Sequence, residues 1–316
     1  MTAGHHESTL SSRTRKPCLM RRLATLSTSA ALLLTMAGCA SSGAPTVEQT
    51  PSLNSTEGGA PAAAQAAPLS DQAMLATLWI QRSAEFHGLS LQAFNVAHDR
   101  LNLALARRTA EDKPLAVVVD VDDTVLDTTS YGGWALREGR TYDSQSWADW
   151  VDDAVSTASP GAVDFLNYAH DSGVDVYYIT NRKAVGKQAT IDNLAALGFP
   201  QANAEHVMPR TDSSDKTARR ASVTAEHDIV ILMGDNLGDF DQAFQQATSA
   251  ARHAEVEKQA GEFGRRFIML PNPTYGEWEG VVYDGNWGAS DAEKRAMREA
   301  ALNAWQPESG SVSQGK

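Results

Sequence analysis

Four acidic side chains in two short runs carry the chemistry open to this sequence. The first run is Val117-Val118-Val119-Asp120-Val121-Asp122-Asp123-Thr124-Val125. Asp120 and Asp122 leave what reads as the carboxyl end of a buried strand, the edge where ligands bind in open α/β sheets. A carboxylate there can attack phosphorus and form an acyl phosphate, which splits one hard displacement into two easier ones. The second carboxylate can protonate the leaving oxygen and later deprotonate water, a role worth roughly 10²–10⁴ in rate. The plain alternative is a solvated acidic loop.

The second run, Ile229-Val230-Ile231-Leu232-Met233-Gly234-Asp235-Asn236-Leu237-Gly238-Asp239, is again an apolar run closed by acids. Asp235 falls at the strand end. Asp239 is expected in the first turn of the next helix, where it could also serve only to complement the helix dipole. Carboxylates from two strand ends can converge on one hard cation with oxygen ligands, and Mg²⁺ suits such a set. Two weaker elements lie between the runs. Thr180-Asn181-Arg182 offers a hydroxyl and backbone N–H groups to phosphoryl oxygens, or simply a turn and helix cap. Lys216 offers the positive charge that phosphoryl transfer needs, or is a solvated surface lysine.

These residues need a scaffold that brings strand ends together. Leu115–Val119 has no alternation and is rich in β-branched residues, the mark of a strand buried on both faces. Similar runs occur at Val174–Ile179, around Val207-Met208, at Ile229–Met233 and at Phe267–Leu270. Helical segments are expected between them, at about 161–171, 184–197, 215–223 and 239–260. Strands alternating with helices predict an α/β fold with a doubly wound parallel sheet. Residues 69–109 read as two helices broken at His87-Gly88. The segment from Leu126 to about Pro160, rich in Trp, Tyr and Asp, interrupts the alternation. With the N-terminal helices it should form a small helical cap. Ser290-Asp291-Ala292-Glu293 fits a capping box, so a polar helix to about Trp305 and a disordered tail should fill 289–316.

Taken in order, these elements resemble the haloacid dehalogenase (HAD) superfamily, and more narrowly its class C acid phosphatases, the lipoprotein e(P4)-type 5′-nucleotidases. The narrower likeness covers roughly residues 72–285. Its runs are Val119–Leu126, Tyr131-Gly132-Gly133-Trp134, Trp147-Ala148-Asp149-Trp150, Pro160-Gly161-Ala162-Val163, Thr180-Asn181-Arg182-Lys183, Gly234-Asp235-Asn236-Leu237 and Phe267–Asn272 with Tyr275-Gly276 and Trp278-Glu279-Gly280. The resemblance implies a HAD-like, Rossmann-type phosphatase domain over 69–288. It makes Asp120 the nucleophile and a metal ligand, and Asp122 the acid/base with its backbone carbonyl on the metal. Asp235 becomes a direct ligand and Asp239 a direct or outer one. Thr180, Asn181 and Lys216 would bind phosphate, and Trp147 and Tyr275 would stack on a nucleotide base, the alternative for each ring being packing within the cap. The sequence departs from the family at Asp123, where Glu is usual and the side chain is expected to turn away from the metal. It departs again at Asp127-Thr128-Thr129-Ser130-Tyr131, which replaces Asp-Asn-Ser-Pro-Tyr at the substrate rim.

The N-terminus reads as export machinery. Arg13, Arg15, Lys16, Arg21 and Arg22 precede an apolar stretch from Leu23 to Met36, which is short for a membrane span. Arg21-Arg22 is a weak twin-arginine pattern, and translation could start at Met1 or Met20. Met36-Ala37-Gly38-Cys39 resembles a bacterial lipobox. That predicts a lipoprotein signal peptide over 1–38 and lipidation of Cys39, with an ordinary export signal as the alternative. A flexible tether rich in Ala, Ser, Gly and Pro follows over 39–68. Cell-envelope localisation follows, with the lipid anchor in the outer membrane because Ala40 follows the cysteine.

Composition bounds the rest. The net charge of −12 disfavours a nucleic-acid polymer as partner. Only Cys18 and Cys39 are present, so the mature chain has no disulfide and no catalytic thiol. His170, His206, His227 and His253 lack ligand spacing. The expected activity is Mg²⁺-dependent hydrolysis of 5′-nucleotides or similar small phosphate monoesters outside the cytoplasm. The alternatives are a broad acid phosphatase on aryl or sugar phosphates and a non-catalytic surface lipoprotein. Oligomeric state stays open, a dimer included.

Overall fold

The computed structural model describes residues 67–306. The expected signal peptide, Cys39, nearly all of the tether and the end of the tail lie outside them. Among the described residues no helix is long and apolar enough to cross a membrane.

A 3₁₀ turn, Leu69–Ala73, leads into α1 (Met74–Arg82) and α2 (Ala84–Arg107). The break falls at Ser83, not at His87-Gly88. The Ser83 hydroxyl accepts the Phe86 N–H at 3.0 Å, satisfying a donor that the helix start leaves without a partner. Gly88 lies inside α2. Its cost of about 1 kcal/mol is offset by the buried stripe Phe86, Ala93, Phe94, Ala97 and Leu101, which sits at helical spacing.

The central strand β1 (Leu115–Val119) is buried along its whole length. Next comes the insertion: β2 (Leu126–Asp127), α3 (Thr129–Arg137), α4 (Ser144–Asp152) and β3 (Thr157–Ala158), with β2 and β3 paired antiparallel. Gln81 of α1 donates to the Thr129 carbonyl at 2.9 Å, so the N-terminal helices and the insertion meet. Alternation resumes with α5 (Ala162–Asp171), β4 (Asp175–Lys183), α6 (Lys187–Ala196), β5 (Val207–Arg210), α7 (Thr217–Glu226) and β6 (Asp228–Gly234). The chain ends with α8 (Ser249–Lys258), β7 (Phe267–Met269), α9 (Glu277–Val282) and α10 (Asp291–Ala301).

The five long-range strands form one parallel sheet in the order β5-β4-β1-β6-β7. Side chains alternate across it. Val117, Val119, Val176, Tyr178, Ile231 and Met233 pack on one face with α2 and α5. Ala116, Val118, Ile179, Leu232 and Phe267 pack on the other. Both faces are covered, which is why these strands read as unbroken apolar runs.

The single helix expected over 239–260 is absent. Two 3₁₀ turns, Leu237–Asp239 and Gln242–Phe244, come first, and α8 starts only at Ser249. Asn236 with Asp239 forms a reciprocal capping pair, and Asp241 accepts the Ala243 N–H at 2.9 Å. Short polar side chains that bond nearby backbone compete with a continuous helix. Buried Phe240 and Phe244 fix the two turns against the second core. The capping box at Ser290 and Glu293 is present, but α10 stops at Ala301 and Trp305 is exposed.

Candidate active site

The sheet register sets the site. Val119 stands beside Tyr178 of β4 and Met233 of β6. Asp120 therefore leaves the sheet level with the segments that carry Thr180 and Asp235. The chain order turns back beside β1, the crossover point at which open α/β sheets open a crevice. The Asp120 N–H donates to the Met233 carbonyl at 2.9 Å, so the ladder fixes the backbone under this carboxylate. The chain then folds back tightly: the Val121 carbonyl accepts the N–H groups of Val125 and Leu126 at 3.0 and 2.9 Å. That turn puts Asp123 at φ 53°, a left-handed conformation that Asp tolerates better than most residues.

β6 ends at Gly234, where only glycine fits. A Cβ there would stand 2.4 Å from the Asp239 Cβ. The close approach folds Asp239 back over the strand end, and its Oδ2 accepts the Asn236 N–H at 3.0 Å. Asp120, Asp235 and Asp239 each offer a carboxylate oxygen within 4.8 Å of the others, and all three residues are buried. Lys216 Nζ pairs with Asp239 at 2.7 Å and with Asp120. Asp235 also accepts from Thr124 Oγ1 at 3.3 Å and Asn272 Nδ2 at 2.8 Å.

These charges oppose one another. Burial, resisted by Lys216 and reinforced by Asp239 and Asp122, pushes Asp120 up to about 7. Burial with repulsion from Asp239, Asp120 and Asp123 raises Asp235 well above the usual carboxylate range. Lys216 is buried too, which works against its charge, but Asp120 and Asp239 hold it above the usual lysine range. One lysine does not balance three buried carboxylates. An all-oxygen donor set with surplus negative charge fits a hard divalent cation.

The remaining sequence candidates fall around this cluster. Thr180 is fully buried, and its hydroxyl oxygen accepts the Arg182 N–H at 3.0 Å, leaving its own O–H to donate. Asn181 is exposed and its Oδ1 accepts from Arg219 at 2.8 Å. Asp122 is half-buried and ion-paired to Arg182 at 2.8 Å. Asp123 turns to Thr128, whose N–H and hydroxyl bond it at 3.0 and 2.6 Å. Burial, offset in part by those bonds, pushes it up to about 6. Asn272 links it at 3.5 Å to the same amide that holds Asp235.

Trp147 does not stand free. It packs edge-on to Tyr131 with ring centroids 5.0 Å apart and lies 5.0 Å from Trp150, inside an aromatic cluster of the insertion. The Tyr275 residue is 40% exposed, yet its hydroxyl ends beside Asp123. Burial and the charges of Asp123, Asp235 and Asp122 push that hydroxyl well above the usual tyrosine range.

Four residues of the site escaped the sequence reading of roles. Arg182 and Asn272 stood inside quoted runs with no task. Arg219 and Arg220 follow Lys216 on α7. Arg219 donates to the Thr180 carbonyl at 2.6 Å and to Asn181. Arg220 donates to the carbonyls of Gly238 and Asp239 at 3.1 and 3.0 Å. One helix start thus ties Lys216 to both neighbouring strand ends. Three bases within five residues of an acidic chain were the available clue.

A family model described as HAD superfamily, subfamily IIIB (Acid phosphatase) matches residues 48–278. Two solved structures are also similar. The class C acid phosphatase from Bacillus anthracis is 40% identical over 76% of this chain and all of that one, with a TM-score of 0.73. A crystal structure of class C acid phosphatase from the same organism with tungstate bound is 39% identical over the same shares, with a TM-score of 0.72.

Proposed function

We propose that this chain, which belongs to the HAD superfamily subfamily IIIB acid phosphatases and is a phosphomonoesterase, hydrolyses 5′-nucleotides or similar small phosphate monoesters with Mg²⁺ as its cofactor. The observation that carries this reading is the convergence of Asp120, Asp235 and Asp239 in one buried cluster beside Lys216. Mg²⁺ matches carboxylate ligands that leave room for water and a phosphate oxygen. When bound, it supplies the positive charge that lets an anionic ester approach Asp120.

The chain's own groups do the rest. Asp120 attacks phosphorus, forming an O–P bond while the bond to the leaving oxygen breaks. Asp122 gives that oxygen a proton. Asp122, now a carboxylate, then takes a proton from the water that attacks the aspartyl phosphate, releasing phosphate and restoring both residues. Lys216 and the Thr180 hydroxyl offset charge on the phosphoryl oxygens. The backbone carbonyl of Asp122 is the expected further ligand. The Bacillus anthracis relative with tungstate bound supports an oxyanion pocket, because tungstate is tetrahedral like phosphate.

Tyr275, 40% exposed as a residue and with its hydroxyl beside Asp123, supports nucleotide stacking. Trp147, taken up by Tyr131 and Trp150, favours the second reading, a broad acid phosphatase on aryl or sugar phosphates. Comparing kcat/KM for a nucleoside 5′-monophosphate and an aryl phosphate separates the two. Tyr275→Ala should lower the nucleotide value about tenfold more than the aryl value, since base stacking is worth about 1–3 kcal/mol, and Tyr275→Phe should not. Equal losses on both substrates would favour the broad enzyme. The work is proposed to take place in the cell envelope, with lipid on Cys39 anchoring the chain to the outer membrane. Metabolic labelling with palmitate, lost in Cys39→Ser, checks that placement.

A further inference from the structure

Arg182 lies on β4, two residues past Thr180, and is 2% exposed. A buried guanidinium must find partners for its charge and its five N–H groups. Its Nε donates to one oxygen of Asp122, Oδ1, at 2.9 Å, and Nη2 forms an ion-pair contact with the same oxygen at 2.8 Å. Nη1 donates to Thr190 Oγ1 of α6 at 3.3 Å, and Nη2 also reaches Ser156 Oγ at 3.5 Å. The guanidinium carbon lies 5.7 Å from the Trp150 ring centroid. The group is therefore fixed from the core side by Thr190 and from the insertion side by Ser156 and Trp150.

Asp122 is held asymmetrically. Oδ1 takes the Nε hydrogen bond and the Nη2 ion-pair contact, while Oδ2 accepts no hydrogen bond from the described residues. A planar guanidinium held against one oxygen by a hydrogen bond and a charge contact sets the rotation of the carboxyl group. The two oxygens are thereby made unequal before any substrate arrives.

We propose that Arg182 is a positioning residue for general acid catalysis: it clamps Oδ1 of Asp122 so that Oδ2 carries the proton to the leaving oxygen. The inference rests on the reading of Asp122 as acid and base. The proton moves from Oδ2 to the departing oxygen as its bond to phosphorus breaks, and Arg182 gives up no proton itself.

Leaving groups test this. A p-nitrophenolate departs readily without a proton, whereas an alkoxide from an alkyl phosphate does not. kcat/KM covers the steps through departure of the leaving group, so it reads the acid. Arg182→Met should lower kcat/KM for glycerol phosphate about 100-fold and for p-nitrophenyl phosphate less than about 10-fold. Arg182→Lys, which keeps the charge and loses the fork, should give an alkyl-selective loss between wild type and Arg182→Met. It carries the same comparison if the methionine variant does not fold. The alkyl-to-aryl ratio within one preparation is independent of the fraction folded. Asp122→Asn should show the same selectivity, and adding Arg182→Met to it should change the ratio little. Equal losses on both substrates in the arginine variants would overturn the proposal and make Arg182 a core ion only. If Asp122→Asn itself lost both substrates equally, the assignment of Asp122 would fail first.

Discussion

The two ends of the parallel sheet treat the same residue type in opposite ways. At the amino end, Asp175 opens β4 and accepts from Gln201 Nε2 at 2.7 Å and pairs with His227 Nε2 at 2.8 Å. Burial works against its charge, but these bonds outweigh burial and hold it below the usual carboxylate range. At the carboxyl end, burial and mutual repulsion drive Asp120 up to about 7 and Asp235 well above the usual range. The first arrangement lowers the energy of the fold. The second raises it, and folding alone gives no reason to gather three buried acids around one lysine. Groups kept at such a cost mark a place where chemistry uses the charge. A cation and a phosphoryl group would each relieve it.

The contrast breaks most visibly by neutralising one acid at each end. Asp120→Asn should lower phosphate release more than about 10⁴-fold, as loss of a nucleophile does elsewhere. Asp175→Asn should leave kcat/KM within about twofold and lower stability by about 1 kcal/mol. Matching losses of activity would erase the distinction between the two ends.

A smaller effect sharpens it through pH. In the folded, metal-stripped protein Asp123 ionises at about 6 and Asp120 at about 7, against about 3.8 for a free aspartate. Between about pH 4 and 7 the folded state therefore holds protons that the unfolded chain has released, and these acids lower stability as pH rises. Asp175 acts with the opposite sign, because its folded acidity is depressed. It adds stability above the unfolded value, and that gain is lost as pH falls through the folded one. Asp123→Asn, which keeps the left-handed turn accessible, should remove on the order of 3 kcal/mol of the decline between pH 4 and 7. Denaturant unfolding at several pH values without metal measures it. An unchanged pH profile would mean that Asp123 carries no such cost.

Much of this geometry could be read from the chain because burial on both faces leaves an unmistakable pattern. β1 and β6 announce themselves as apolar runs, and the acids that follow them had to emerge at one sheet edge. The likeness to class C acid phosphatases in those runs agrees with the family match. The parts that were not legible depend on distant partners or on local competition. Arg182 reaches Asp122 from another strand, and Arg220 reaches Asp239 from another helix. No spacing rule connects such pairs. Asn236 and Asp241 divided an expected helix by bonding their own neighbours, and Ser83 moved the α1–α2 break by capping. Trp147 could stack on a base or pack within the cap, and the rings that pack it are close only in the folded insertion.

Asp120, Asp235 and Asp239 at the carboxyl end of the sheet are expected to hold one divalent ion together. Calorimetric titration of the chelator-stripped protein with Mg²⁺ near pH 7 tests it most directly, run in two buffers of different ionisation enthalpy. The expected result is one ion per chain, with proton release as Asp120 and Asp235 ionise, and little or no binding to Asp235→Asn. Mg²⁺ uptake that releases no protons, or that is equally tight in Asp235→Asn, would contradict it.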